Sequence, residues 1–497
     1  MQFVPQKEEK QLQRSRIPEH IIEESMNLHR TLIYRLCILA VAALALTPPA
    51  HTQDIAPQRL SLQDAVRLAM KQNPDLTMAR LEVKRSDARV MEAWGNALPA
   101  IDLSGQYAHM IDKPVTFFPD VFLYSFLKSI DSTTPKPTGQ LIPVSFAPGF
   151  SASATVNVRQ ILFNGAVFIG VGAANIYSHL ARDMYQAKQV EIVTKVRKAY
   201  YGALLAHEAF DLMRSSLQNA EDNLKNVRLM MKQGIVSEYD ELRASVGVEN
   251  LRPMVIQSET NFNLSMDNLR NIVGVTNKEN YLLTDELSLV AVDEAILARA
   301  EALVLETNPG LSAVKRQIEL NNAVVNAERS NYLPTIAAFG SYQYQAAKNE
   351  FTFSTNDFYK GSTVGLSLSL NLFQGLQTYS RVEQAQLERR KSQEQQISLE
   401  RTLQTGLHSI LGNLQQARKR VEAQGKTVEM AERGYKIVTT RFLNSSATQL
   451  EVNDAQLALT QAKVNRVQAM YDYLVASADL DQLIGRLPSY ALESEDK

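Results

Sequence analysis

The sequence predicts a mainly α-helical chain with a smaller membrane β-barrel portion. Three observations carry this: a shortage of turn residues, a set of landmarks written twice, and four segments of two-residue alternation. Gly and Pro number 21 and 17 among 497 residues, below the roughly 12% usual for globular chains. Between Pro148 and Pro488 only Pro253, Pro309 and Pro334 interrupt the chain. So little punctuation implies very long regular elements. Length alone would suggest roughly three domains, but the repetition replaces that with one duplicated subunit. Net charge is −1, from 52 Lys+Arg and 53 Asp+Glu, which leaves no basic field for nucleic acid.

The N-terminus reads as an export signal. Arg30 and Arg35 precede an apolar run from Cys37 to Leu46, followed by Ala50-His51-Thr52; a basic region, a short apolar region and a small-residue exit form a secretory leader. We assign 1–52 to it, with Met26 a possible true start. Its removal takes away Cys37, the single cysteine, and with it disulfide, thiol and Cys-metal chemistry. No later stretch approaches the 18 apolar residues of a membrane helix, so a crossing must be made by β-strands.

Repetition sets the domain plan. Asn73-Pro74 and Leu98-Pro99 recur as Asn308-Pro309 and Leu333-Pro334, both 235 residues on. Leu162-Phe163-Asn164-Gly165 recurs as Leu372-Phe373-Gln374-Gly375 at 210, and Leu269 to Gly274 recurs as Leu480 to Gly485 at 211. The drop of 25 places an insertion in the first copy. The copies are expected at 53–274 and 275–487, with a tail at 488–497. Each reads helix, strand, loop, strand, long helix, turn, long helix.

The opening helix begins near Ser61, with Leu62, Ala65, Val66, Ala69 and Met70 at helical spacing; its counterpart runs from about Val292 to Ser330. Both end at Leu-Pro, where proline disfavours helix in the preceding residue. The period then switches to two. Phe150, Ala152, Ala154, Val156 and Val158 alternate with polar residues, as do Val364, Leu366, Leu368, Leu370 and Leu372. Strands are expected at about 100–110, 150–163, 335–344 and 361–374, joined by loops at about 111–149 and 345–360. Aromatics gather around them, as at the two interfaces of a membrane barrel.

Long helices follow, at about 166–233 and 237–273, then 376–441 and 446–486. Leu403, Leu407, Ile410, Leu414, Ala417, Val421, Val428, Ala431, Tyr435 and Val438 hold a heptad with Gln424 its one polar member. Heptads around turns at Gly234 and Asn444-Ser445-Ser446 mean antiparallel coiled-coil hairpins. Pro253 predicts a kink in the first returning helix. Four strands cannot close a barrel, since about eight is the minimum, so subunits must pool strands: two give eight and a plugged interior, three give twelve and a lumen.

The order of elements and the duplicated Asn-Pro, Leu-Pro and Leu-Phe-x-Gly landmarks, over roughly Leu60 to Leu487, resemble the TolC family of outer-membrane efflux proteins. The resemblance implies a homotrimer in the outer membrane of a Gram-negative bacterium. It also implies a twelve-stranded β-barrel, a twelve-helix periplasmic α-barrel, and docking of a periplasmic adaptor and an inner-membrane pump at the helical tips. The tips offer Gly234, Ser237, Asn444, Ser445 and Ser446 for that docking. The family rings its closed end with two acids three residues apart; Glu451 and Asp454 match, and Asp240 occupies the first tip at a shift of 211. Spacing of three puts both carboxylates on one helix face, which suits a cation-attracting constriction, although acids also favour a helix start for its dipole. Some members latch the gate with Tyr and Arg; here those positions are Phe442 and Ala447, so the closed state must be held another way.

Catalysis is not indicated. His109, His179, His207 and His408 are scattered without paired-ligand spacing, and no metal or cofactor is expected. Gly170-x-Gly172 lacks the third glycine and βαβ setting of a nucleotide loop and instead eases a strand into a helix. Asn444-Ser-Ser matches a glycosylation acceptor by chance. The reading is an exit duct of a tripartite efflux or type I secretion system, passing substrate from adaptor and pump to the exterior. Its rivals are a periplasmic coiled-coil adaptor, which would need a lipoyl-like β-domain, and a structural component of a secretion apparatus.

Overall fold

The computed structural model describes residues 58–133, 136–275 and 281–492; the assigned leader, Met26, Cys37 and the last five residues of the tail lie outside them. In chain order the first copy holds β1 (Gln58–Leu60), α1 (Leu62–Gln72), α2 (Pro74–Gly95), β2 (Ala100–His109), β3 (Thr116–Pro119), α3 (Asp120–Ile130), β4 (Leu141–Val144), β5 (Phe150–Phe163), α4 (Gly165–Lys232) and α5 (Glu238–Val273). The second holds β6 (Tyr281–Leu283), α6 (Glu294–Thr307), α7 (Pro309–Ser330), β7 (Thr335–Lys348), β8 (Tyr359–Ser369), α8 (Gln377–Leu443) and α9 (Gln449–Leu483), with a final turn α10 (Ser489–Leu492).

Each opening helix, expected as one, is two. The break falls at Asn-Pro, because proline lacks an N–H and its ring collides with the preceding turn. Asn73 and Asn308 then cap α2 and α7, their side chains accepting from Leu76 N and Leu311 N, with proline in the first turn where no donor is missed. The same side chains explain why the landmark recurs. Asn73 Nδ2 donates to Ile272 O at 2.7 Å, and Asn308 Nδ2 to Leu483 O at 2.8 Å, tying each break to the end of its copy's returning helix. There Gly274 and Gly485 take φ of +88° and +69°. A Cβ at Gly274 would stand 2.8 Å from Gln72 O, and one at Gly485 2.6 Å from Thr307 O. Both the positive φ and the close approach exclude a side chain.

The four expected strands form one antiparallel sheet in the order β2-β5-β7-β8, with β5 pairing to β7 across the two copies. Register sorts its faces, since directly opposed residues share a side. One row runs Ile101, Val158, Gly340, Val364 and the next Leu103, Val156, Tyr342, Ser362. On the other face the rows run Asp102, Asn157, Ser341, Thr363 and Ser104, Thr155, Gln343, Gly361. The apolar face is bare in the single chain: Ile101, Leu103, Val364, Leu366 and Leu368 are exposed. No helix among the described residues is long and apolar enough to cross a membrane.

Strand ends depart from expectation for backbone reasons. β8 stops at Ser369, five residues short of the expected 374, because its partner begins at Thr335 and Pro334 before it has no N–H to continue the ladder. β7 runs on to Lys348, four residues past its expected end. The insertion is not a plain loop. β3 and β4 pair as a hairpin, and α3 sits between them. Asp120 holds its base, accepting from Thr138 N and Oγ1 and from Gly139 N.

α4 has 68 residues and α8 has 67, each about 100 Å long at 1.5 Å per residue. Leu403, Leu407, Leu414, Ala417, Val421 and Val428 of the heptad are buried, and Gln424 keeps a buried side-chain oxygen without a partner. α5 continues as helix through Pro253. Midway along, α1, α4, α5 and the segment around β6 bury Val66, Val196, Tyr200 and Leu269. Tyr200 donates to Leu60 O at 3.0 Å, and burial pushes its pKa up. Arg197 of α4, itself buried, reaches Asp481 of α9 at 2.7 Å. Lys198 pairs with Asp479 one residue on, so charge ties the two hairpins together above their tips.

Candidate functional site: the helical tips

The tips are built by two local devices used twice. Where α4 ends, Gly234 takes φ +72° and Ile235 N returns to Met230 O at 2.9 Å. Where α8 ends, Ser445 takes φ +59° and Ser446 N returns to Arg441 O at 2.8 Å. Both are left-handed helix stops whose backward bond satisfies a terminal carbonyl. Ser237 and Thr448 then cap α5 and α9, accepting from Asp240 N and Glu451 N. At the shift of 211, Gly234 corresponds to Ser445, Ser237 to Thr448 and Asp240 to Glu451.

The carboxylates at the matched position differ in what they do. Asp240 Oδ2 accepts from Ser237 Oγ at 2.6 Å and from Ser237 N at 3.1 Å, closing a reciprocal capping box. Glu451 does not reach back; its side chain and that of Asp454 make no hydrogen bond or ion pair among the described residues, and both are exposed. Sequence reasoning grouped Asp240 with these two acids, and the structure separates them: one carboxylate is spent on the backbone, two stand clear. Arg243 escaped sequence reasoning. It occupies the place of Asp454 in the first tip, with its guanidinium 5.8 Å from the Tyr239 ring. Aligning the copies residue by residue through the turn would have shown the reversal of charge.

The remaining tip residues are bound up in their own turn. Asn444 Nδ2 donates to Thr440 O at 3.0 Å, Ser446 Oγ to Asn444 O at 3.2 Å, and Arg441 Nη2 to Ser446 O at 2.8 Å. Gly234, Ser237, Asn444, Ser445 and Ser446 are all exposed. Beneath the turns one apolar cluster joins the two hairpins: Val227, Ala244 and Val248 from the first, Phe442 and Val452 from the second, with Ala447 packed against it. Phe442 and Ala447 are thus both given over to packing within the chain. Gln449, buried in the first turn of α9, donates to Asn453 Oδ1 at 2.8 Å and leaves its oxygen without a partner. A groove of about 350 Å³ lies above the cluster, lined by Met213, Asn223, Gly247, Met254, Asn453 and Leu457 among others.

The histidines stay apart. His109 stacks on Phe150, His207 stands beside Asp211, and His408 Nδ1 meets Gln404 O in its own helix. Among the described residues no three His, Cys, Asp or Glu come together as a metal site.

Comparison with known proteins agrees with this geometry. The sequence model of the outer membrane efflux protein family matches residues 65–275 and 302–486. The chain is 22% identical to the alkaline protease secretion protein AprF of Pseudomonas aeruginosa over 342 residues, covering 68% of this chain and 71% of that one. It is 22% identical to the outer membrane protein TolC of Vibrio cholerae over 340 residues, covering 67% and 77%. In fold it is similar to the Campylobacter jejuni CmeC outer membrane channel, with a TM-score of 0.69 at 15% identity over 88% of each chain. With the family matched across well over half its length and its sheet two-faced as a barrel wall requires, the chain belongs to the outer membrane efflux protein family, as an outer-membrane exit duct with a long periplasmic helical part.

Proposed function

We propose that three copies of the chain close one duct, pooling four strands each into a twelve-stranded barrel and four long helices each into a periplasmic α-barrel. One observation carries this reading: β2 and β8 are free edges of a sheet with one apolar and one polar face. A free edge leaves a row of unpaired backbone groups, which lipid cannot satisfy; pairing β8 of one subunit with β2 of the next removes all of them. Twelve strands also leave a lumen, where eight would fill with side chains. A homotrimer is tested by an SDS-resistant, heat-sensitive oligomer of three times the chain mass in outer-membrane fractions; monomer or dimer alone overturns it.

At the far end, Glu451 and Asp454 repeated about the threefold axis make two stacked acidic rings, a constriction that draws cations. The tips around Gly234, Ser237 and Asn444 to Ser446 are the docking surface for a periplasmic adaptor, which couples the duct to an inner-membrane pump. Lipid of the outer membrane surrounds the barrel, and no nucleic acid is involved. The duct performs no chemistry of its own; pump and adaptor choose the cargo, whether small molecule, metal or protein. Deleting the protein and measuring retained dyes, antibiotics, metals and secreted proteins separates efflux from secretion. An adaptor role is disfavoured, since the described strands form one four-stranded sheet with an apolar face and two two-stranded sheets, and none of these is a lipoyl-like domain.

A further inference from the structure

The insertion carries an apolar stripe that the duct reading does not use. On α3, Phe122, Phe126 and Ile130 follow one another at intervals of four and are 77%, 66% and 72% exposed. That spacing stacks them along one side of the helix. Lys128 lies on the opposite side, its Nζ 5.4 Å from the Tyr124 ring. Around the helix, Ile111, Phe117 and Phe146 are also exposed. A surface of this kind in a folded protein has something against it.

Its place in the fold says what. β2 leads away from α2 and β5 leads back to α4, so the described residues between them, 110–133 and 136–149, sit at the end of the sheet remote from the helices, at the outer rim. At that end an aromatic cluster gathers on the apolar face: Tyr107, His109 and Phe150 come from the strands. Phe150 lies 5.7 Å from the Phe351 ring, and Tyr107 lies 6.2 Å from Phe351 and 6.0 Å from Phe353. Such a belt marks the level where acyl chains give way to headgroups, and the insertion begins one residue past it. The insertion is also drawn away from the free edge of β2. Lys113 Nζ and Gly149 N both donate to Asn349 Oδ1, at 2.7 and 3.0 Å, beside the end of the inner strand β7. These bonds tie both ends of the insertion beside the inner strands of the sheet and away from the subunit seam.

We propose that α3 is a lipid anchor, lying in the headgroup layer at the outer rim of the barrel with Phe122, Phe126 and Ile130 toward the acyl chains and Lys128 toward the water. A short helix with aromatic residues on one side and a cation on the other binds such an interface. The inference rests on the outer-membrane location of the chain, and its test leaves the trimer reading standing or falling separately.

The test uses the full chain in phosphatidylcholine vesicles. Trp94, the single tryptophan, is replaced as Trp94→Phe, and a reporter is placed by Phe126→Trp or, on the opposite side, Lys128→Trp. Each variant is first checked for the same SDS-resistant oligomer as the parent. With lipids brominated near the headgroup, the Phe126→Trp protein is expected to lose most of its emission and to resist aqueous iodide, while Lys128→Trp shows the reverse. Equal iodide quenching of both reporters overturns the proposal. Protection of the Phe126→Trp reporter from both quenchers also overturns it, because a neighbouring copy then covers the stripe. A third variant, Phe122→Ser with Phe126→Ser, is expected to keep the oligomer and its conductance but to lose protection of α3 amides against exchange in vesicles; unchanged protection counts against the anchor.

Discussion

The two helical tips start from one design and end with different chemistry. At the first, Gly234 makes the left-handed turn at no steric cost, Ser237 and Asp240 satisfy each other, and Arg243 follows three residues later. At the second, Ser445 makes the same turn with a side chain on it, Thr448 caps alone, and Glu451 and Asp454 stand free. At the matched position the first tip spends Asp240 on holding the helix, whereas the second leaves Glu451 exposed, with Asp454 exposed three residues on.

The comparison breaks most severely if the shared cluster fails. Phe442→Ala is expected to cost about 3–5 kcal/mol, as for other buried aromatics, and because Val227 and Val248 share its cluster, amides of both tips should lose protection in hydrogen exchange. Loss confined to α8 and α9 would show that the tips stand independently. Next, if Glu451 and Asp454 ring a cation-attracting constriction, Glu451→Gln with Asp454→Asn is expected to raise the divalent-cation concentration for half block in single-channel recording by roughly tenfold. Unaltered conductance and block would remove the constriction from this site.

Asp240→Asn sharpens the contrast: it should cost about 1 kcal/mol of stability at the start of α5 through the lost capping box, read by amide exchange, with conductance unchanged. Arg243→Asp places an acid at the position matched to Asp454 and should tighten divalent block by about threefold through the added ring. The smallest effect is expected for Ser445→Gly, a gain of about 0.5–1 kcal/mol from relieved left-handed strain, measured as added protection at Ser446 and Ala447. No gain would mean that the turn tolerates Ser445 without strain.

Much of the architecture was legible because its signals are periodic. The strands were visible as alternation, and the register shows that the alternation separates an apolar face from a polar one. The heptads from Leu403 to Val438 announced the long helices. Other features were not legible. The helix α3 lies where turn residues and apolar residues mix, so neither period dominates, and its hairpin depends on Asp120 reaching Thr138 and Gly139. The split of the opening helices is written in Asn73-Pro74 and Asn308-Pro309 yet reads only as a landmark, since its purpose lies in carbonyls 199 and 175 residues away. Among the tip acids, sequence could place Asp240, Glu451 and Asp454 at helix starts but could not say which carboxylate would turn back on its own cap.

By itself the sequence determined the duplication, the periods of strand and helix, and the positions of the turns, because each depends on neighbours within a few residues. Only the tertiary structure decided that Asn73 must meet Ile272 and Asn308 must meet Leu483. It alone showed that Gly274 and Gly485 admit no side chain, that Phe442 packs inward, and that two of three acids remain free. These contacts join residues brought together when a helix of about 100 Å returns on itself, and no local pattern records where its far end will land.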